Sequence, residues 1–192
     1  EPAARAVEAQ VERMCAKAGI EACASEWGLF FSPGTVATGQ GNPYQVFTPF
    51  WKRCLQQGVD DSVSPVPHIL PSPLMPANSL TLSELDLLPN VDWATGLRAV
   101  WQPGQKGAHD ALNRFLSDSV VHYAEGRDQP AERWTSGLSP HLHFGEISPR
   151  QITSALRTVR GEGASSFLRE LGWREFSHHL LYHFPYLDRH PL

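Results

Sequence analysis

Six prolines, Pro65, Pro67, Pro71, Pro73, Pro76 and Pro89, fall between Val59 and Asn90. Each fixes φ and removes a backbone N–H donor, so no helix or central strand can run through this stretch. The 192-residue chain is therefore read as three parts: residues 1–58, an interdomain linker over 59–92, and residues 93–192. A hydrophobic content of 41% supplies one or two packed units and argues against general disorder.

Before the linker, the residues from Arg5 to Ala18 place Val7, Val11 and Met14 at helical spacing. The apolar run Trp27 to Phe31, ending at Ser32-Pro33-Gly34, reads as a strand and turn. Thr48-Pro49 reads as an N-cap followed by proline at the first helical position, with Gly58 closing that helix. The pattern is the tail of an α/β unit, which cannot complete a parallel sheet alone.

Beyond the linker the chain reads as mostly helical. Gln105 to Tyr123 carries Leu112, Phe115, Leu116, Val120 and Tyr123 on one helical face. Ser139-Pro140 and Ser148-Pro149 are cap-plus-proline starts, the second opening a helix with Ile152, Leu156 and Val159 inward. Ala164 to Phe184 reads as a long, largely buried helix.

Charge is uneven: residues 1–92 carry 5 Lys+Arg against 10 Asp+Glu, and residues 93–192 carry 11 against 10 with 8 of the 9 His. The second part can present a basic face to phosphates or simply a mixed solvated surface. Cys15, Cys23 and Cys54 form no CxxC pair, which points to reduced intracellular thiols rather than disulfides or zinc, and a cytoplasmic, bacterial-type location is expected. No apolar run approaches the roughly 18 residues that span a bilayer. With Glu1 as the first residue, both ends are expected to be cuts in a longer polypeptide.

Three groups of residues invite chemistry. Thr135, Ser136, Gly137, Leu138 and Ser139 precede a helix start, where free N–H groups favour an anion; equally, Ser139 can be a plain cap. Glu170, Trp173, Arg174 and Ser177 share one helix face, either as a pocket wall with a stacking aromatic or as a Glu170–Arg174 surface pair beside a half-buried Trp173. Tyr123 and Arg127 stand four apart, suited to a phosphate contact but also ordinary at a helix end. His178, His179 and His183 lack the HExxH pattern or a carboxylate partner, so no metal is expected.

Taken together, Tyr-x-x-x-Arg at 123–127, Thr-Ser-Gly-Leu-Ser-Pro-His-Leu-His-Phe-Gly-Glu-Ile-Ser-Pro-Arg-Gln at 135–151 and Phe-Leu-Arg-Glu-Leu-Gly-Trp-Arg-Glu-Phe at 167–176 resemble the DNA photolyase and cryptochrome family. Tyr-Gln-Val-Phe-Thr-Pro-Phe at 44–50 is similar to the segment that closes that family's antenna domain. The resemblance implies that residues 1–58 are the end of a Rossmann-like α/β antenna domain, 59–92 the linker, and 93–192 the opening of an all-helical FAD-binding domain. It also implies FAD and a folate- or deazaflavin-type antenna chromophore as cofactors, ultraviolet-damaged DNA as partner, no membrane, and a monomer at full length.

Carried over by motif, Tyr123 and Thr135, Ser136, Gly137, Leu138 and Ser139 would contact FAD, the last five around its diphosphate. Arg127 would hold a DNA phosphate, with Arg174 and Ser177 on the same DNA-facing side. Glu170 and Trp173 match the pair that lines the lesion pocket of enzymes repairing cyclobutane pyrimidine dimers, Trp173 stacking on the dimer and Glu170 bonding its base edge. The implied activity is deoxyribodipyrimidine photolyase, expected to be inactive in a piece of this length. The alternative is a cryptochrome-type blue-light photoreceptor, against which retention of both residues argues. Gly137 stands where some relatives carry Arg, and Phe167 where some carry Trp.

Overall fold

The computed structural model describes residues 2–24, 28–69, 79–89, 91–187 and 189–191. Within them run α1 (Pro2–Lys17), α2 (Phe47–Gln57), α3 (Thr95–Val100), α4 (Gln105–Arg114), α5 (Tyr123–Gly126), α6 (Ser139–His143), α7 (Pro149–Leu156) and α8 (Glu162–His183). Pro71, Pro73 and Pro76 lie outside the described residues; before them, Asp60 pairs with Arg150 at 2.6 Å and Asp61 with Arg157.

α8 organises the rest. Its buried stripe, Gly163, Ala164, Phe167, Leu171, Gly172, Glu175, Phe176 and His179, repeats at helical spacing along one side, so it is half-buried rather than buried all round. Phe167 and Leu171 enter a core with Ala108, Leu112, Phe115, Tyr123, Leu138, Ile147 and Ile152. Phe176 enters a second core with Val36, Phe47, Phe50, Trp51 and Cys54. Phe31, Val59 and Leu168 touch both, so residues 30–59 are packed onto the later helices.

The strand expected from Trp27 to Phe31 does not form: no strand occurs among the described residues, and Trp27 lies outside them. The backbone groups that a ladder would use are taken by side chains instead. Glu175 accepts the N–H of Phe30 at 3.2 Å and of Phe31 at 3.0 Å. Arg174 donates to the Gly28 carbonyl at 2.7 Å and Arg150 to that of Leu29 at 3.3 Å. Burial raises the Glu175 carboxyl above its usual range against the opposing pull of these N–H groups and of Arg174 and Arg150.

Local signals set several boundaries. Ser148 and Gln151 cap α7 reciprocally, at 3.1 and 2.8 Å, and Pro149 takes the first helical position. α2 starts one residue before the expected cap, after extended Val46, so Thr48 caps nothing and Pro49 is the third helical residue, where its missing N–H is an orphan anyway. α7 ends at Leu156, and Val159 packs on the core from the turn beyond. The Val7, Val11 and Met14 stripe of α1 is exposed.

The helix expected from Gln105 to Tyr123 is interrupted by a π-helical turn over Phe115–Ser119 and a 3₁₀ turn over Val120–His122. In an unbroken α-helix, residues five apart point about 140° away from each other. The widened turn brings Phe115 and Val120 into one core, where both are almost fully buried.

α2 and α8 meet at Gly172, where an added Cβ would stand 2.7 Å from the Trp51 ring. Gly172→Ala should therefore cost about 1–3 kcal/mol by overpacking, read as a lower urea midpoint at unchanged slope. His179, 7% exposed, places Nε2 3.1 Å from the Tyr44 amide nitrogen. Burial, with His183 nearby, lowers its pKa to about 4. Between there and the ordinary histidine value the folded chain binds fewer protons than the unfolded one, so stability is lost as pH falls through that window. About 2 kcal/mol should disappear between pH 7 and pH 5, and His179→Gln should flatten that loss in urea titrations at the two pH values.

Candidate functional site

The loop 135–139 borders a cleft of about 1280 Å³ whose lining includes Arg98, Arg114, Arg133, Thr135, Ser136 and Gly137. Gly137 has φ of 66°, a left-handed conformation that any Cβ would strain, and the rim of Trp101 lies 3.7 Å from where that Cβ would be. The turn thus keeps backbone rather than side chain on the cleft wall. The Ser136 hydroxyl accepts the Leu138 N–H at 3.3 Å. Asp110, Asp118 and Glu132 line the same cleft, and Arg98 is paired with Asp92, so the three arginines are balanced by carboxylates. The two hydroxyls and the backbone at Gly137 are the features that suit a phosphate, and the volume admits a ligand of dinucleotide size.

The sequence-derived cofactor set is split. Thr135, Ser136 and Gly137 line the cleft, whereas Leu138 is a core residue and Ser139 is exposed. Ser139 is the first residue of α6, not its cap; Leu138 holds the cap position, and its carbonyl accepts the Leu142 N–H at 2.9 Å. Tyr123 belongs to the core, edge-on to Phe115 and Phe167 at 5.5 and 5.1 Å, and burial raises its pKa.

His141 was not singled out by sequence. It is buried, lines the same cleft, and its Nδ1 pairs with Glu146, whose carboxyl is held below its usual range chiefly by that bond. The spacing His-x-x-x-x-Glu across a short helix and turn is the one sequence signal for this pair, and it is a weak one.

On α8, Glu170 and Trp173 stand one turn apart on an accessible face. Glu170 does not pair with Arg174, as the spacing allows; it pairs with Arg127, which also lies 3.8 Å from Asp128 and 5.7 Å over the Tyr123 ring. Side chains of both partners are about one-third exposed, at 33% for Arg127 and 30% for Glu170. Such a pair is worth at most about 1 kcal/mol and exchanges partners readily.

Trp173 is 45% exposed and lies parallel to Phe47, with ring centroids 3.7 Å apart. Arg174 is turned to the Gly28 carbonyl, and the Ser177 hydroxyl donates back to the Trp173 carbonyl at 2.9 Å. The structure thus brings Arg127, Glu170 and Trp173 to one region while engaging Arg174 and Ser177 with backbone. Among the described residues no cluster of three or more His, Cys, Asp or Glu could hold a metal ion, and no helix is long and apolar enough to cross a membrane.

Residues 1–72 match the sequence profile described as DNA photolyase. A deoxyribodipyrimidine photo-lyase of Agrobacterium fabrum is 42% identical over 166 residues, covering 83% of this chain and 34% of that protein. Cryptochrome-2 of Arabidopsis thaliana is 28% identical over 198 residues, 95% of this chain and 32% of that protein. The crystal structure of a bacterial class III photolyase from Agrobacterium tumefaciens superimposes with a TM-score of 0.80 at 36% identity, over 96% of this chain and 39% of that one. The chain spans 32% to 39% of the length of these relatives.

Proposed function

Because the chain belongs, in sequence and in fold, to the DNA photolyase and cryptochrome family, we propose that it carries part of the machinery for light-driven repair of cyclobutane pyrimidine dimers in DNA. The observation that carries this reading is the α8 face, where a half-exposed indole stands one turn from a carboxylate with a guanidinium beside it. Trp173 is a stacking platform for a base turned out of the duplex. Extrusion costs a few kcal/mol, least for a damaged base, and stacking of about 1–3 kcal/mol offsets it. Glu170 accepts hydrogen bonds from the edge of that base, and Arg127 takes a backbone phosphate, a contact that positions without reading sequence. Both roles require the Arg127–Glu170 pair to open, which its partial exposure makes inexpensive.

On this reading FAD would bind in the cleft beside the loop 135–139, where Thr135, Ser136 and the Gly137 backbone would hold its diphosphate and Arg114 and Arg133 would offset Asp110, Asp118 and Glu132 on the same lining. Bound there in reduced form, the flavin supplies the light-driven electron. The protein's contribution is binding, orientation and exclusion of water, and no side-chain nucleophile is needed. An antenna pigment, a monomeric state and a cytoplasmic location belong to the same reading. Photoreception without repair is the weaker alternative: the photolyase relative is 42% identical and the cryptochrome 28%.

In the polypeptide as its gene encodes it, Trp173→Ala should weaken binding of a dimer-containing oligonucleotide by about 1–3 kcal/mol, measured by fluorescence anisotropy. Unchanged affinity would remove Trp173 from the pocket. Glu170→Ala should retain flavin by absorbance yet repair fewer dimers per absorbed photon; an undiminished quantum yield would refute its role.

A further inference from the structure

Trp173 does not stand alone on α8. Phe47, from α2, covers one face of its indole at 3.7 Å between ring centroids and 12° between planes. Behind Phe47, Trp51 lies parallel in turn, at 6.3 Å and 10°. Phe176 meets both Phe47 and Trp173 edge-on, at 5.9 and 6.0 Å. Exposure falls along the column, from 45% at Trp173 to 8% at Phe47 and 8% at Trp51. Its inner end is fixed by the close approach of Trp51 to Gly172. One parallel ring and one perpendicular ring give the indole a defined plane, and its 45% exposure leaves it accessible to a further ring.

We propose that Phe47 is a positioning residue for damaged-base recognition, with α2 setting the plane of Trp173 so that the indole receives the extruded base as the next layer of the Trp51–Phe47–Trp173 stack. The proposal rests on the reading of Trp173 as the stacking platform. Without Phe47 the indole is free to rotate about its side-chain bonds, and ordering it again on binding draws on the stacking energy. Recognition would then depend on a residue about 125 positions earlier in the chain, one that touches no DNA itself.

A double-mutant cycle tests this in the full-length polypeptide, using Phe47→Leu, Trp173→Ala and the combined variant. Affinity is measured for an oligonucleotide carrying one cyclobutane dimer and for the same sequence undamaged, with thermal midpoints followed in parallel. Phe47→Leu should weaken dimer binding roughly 2- to 12-fold, the range of an aromatic pair, and leave undamaged DNA unaffected. The same substitution should have no further effect once Trp173 is alanine. Phe47→Tyr, which keeps an aromatic ring beside the indole, should bind the dimer more tightly than Phe47→Leu. Equal losses for damaged and undamaged DNA, or an undiminished Phe47→Leu effect in the Trp173→Ala background, would mean a merely structural role and overturn the proposal. If Trp173→Ala itself leaves dimer binding intact, the platform reading fails and takes this one with it.

Discussion

The Glu175 carboxylate is the constraint on which the arrangement turns. A buried carboxylate is tolerable only when its oxygens are bonded, and here one oxygen takes the N–H of Phe30 and the other that of Phe31. Arg174 and Arg150 hold the carbonyls of Gly28 and Leu29, so four backbone polar groups between Gly28 and Phe31 are satisfied by three side chains of α7 and α8. That grip brings Phe30 into one core and Phe31 against both. Phe31, α2 and the aromatic column follow from it.

The elements legible in the sequence were those with local causes. α7 announces itself by Ser148-Pro149 with Gln151 three residues on, and its cap geometry is self-contained. The extent of α8 follows from an uninterrupted helical sequence between Gly161 and Pro185. Misplaced elements depended on partners far along the chain. Trp27 to Phe31 has strand composition, but its hydrogen-bond groups answer to residues more than a hundred positions away. The break between α4 and α5 is marked only by the five-residue step from Phe115 to Val120, which a straight helix would carry about 140° round its axis and which the wide turn brings into one core.

Site residues divide in the same way. Thr135, Ser136 and Gly137 were legible because hydroxyls and a glycine before a helix suit an anion whatever the surrounding fold. Glu170 and Trp173 were legible as a pair one turn apart, but their partners were not, since Arg127 and Phe47 belong to other elements. Arg174 was assigned outward on helical periodicity, and the Gly28 carbonyl turned it inward. Glu175, next to it, carries no local signal of its role, since the amides it binds lie about 145 positions earlier.

The Arg127–Glu170 pair has a further consequence on the proposed function. An unpaired arginine attracts any duplex, and undamaged duplex outnumbers lesions overwhelmingly. Arg127 instead carries its own counter-ion, so a phosphate must displace Glu170 before the contact forms. An undamaged, stacked duplex leaves the displaced carboxylate to water, whereas an extruded base offers its edge. A built-in competitor of at most about 1 kcal/mol thereby tilts an indiscriminate attraction toward a lesion.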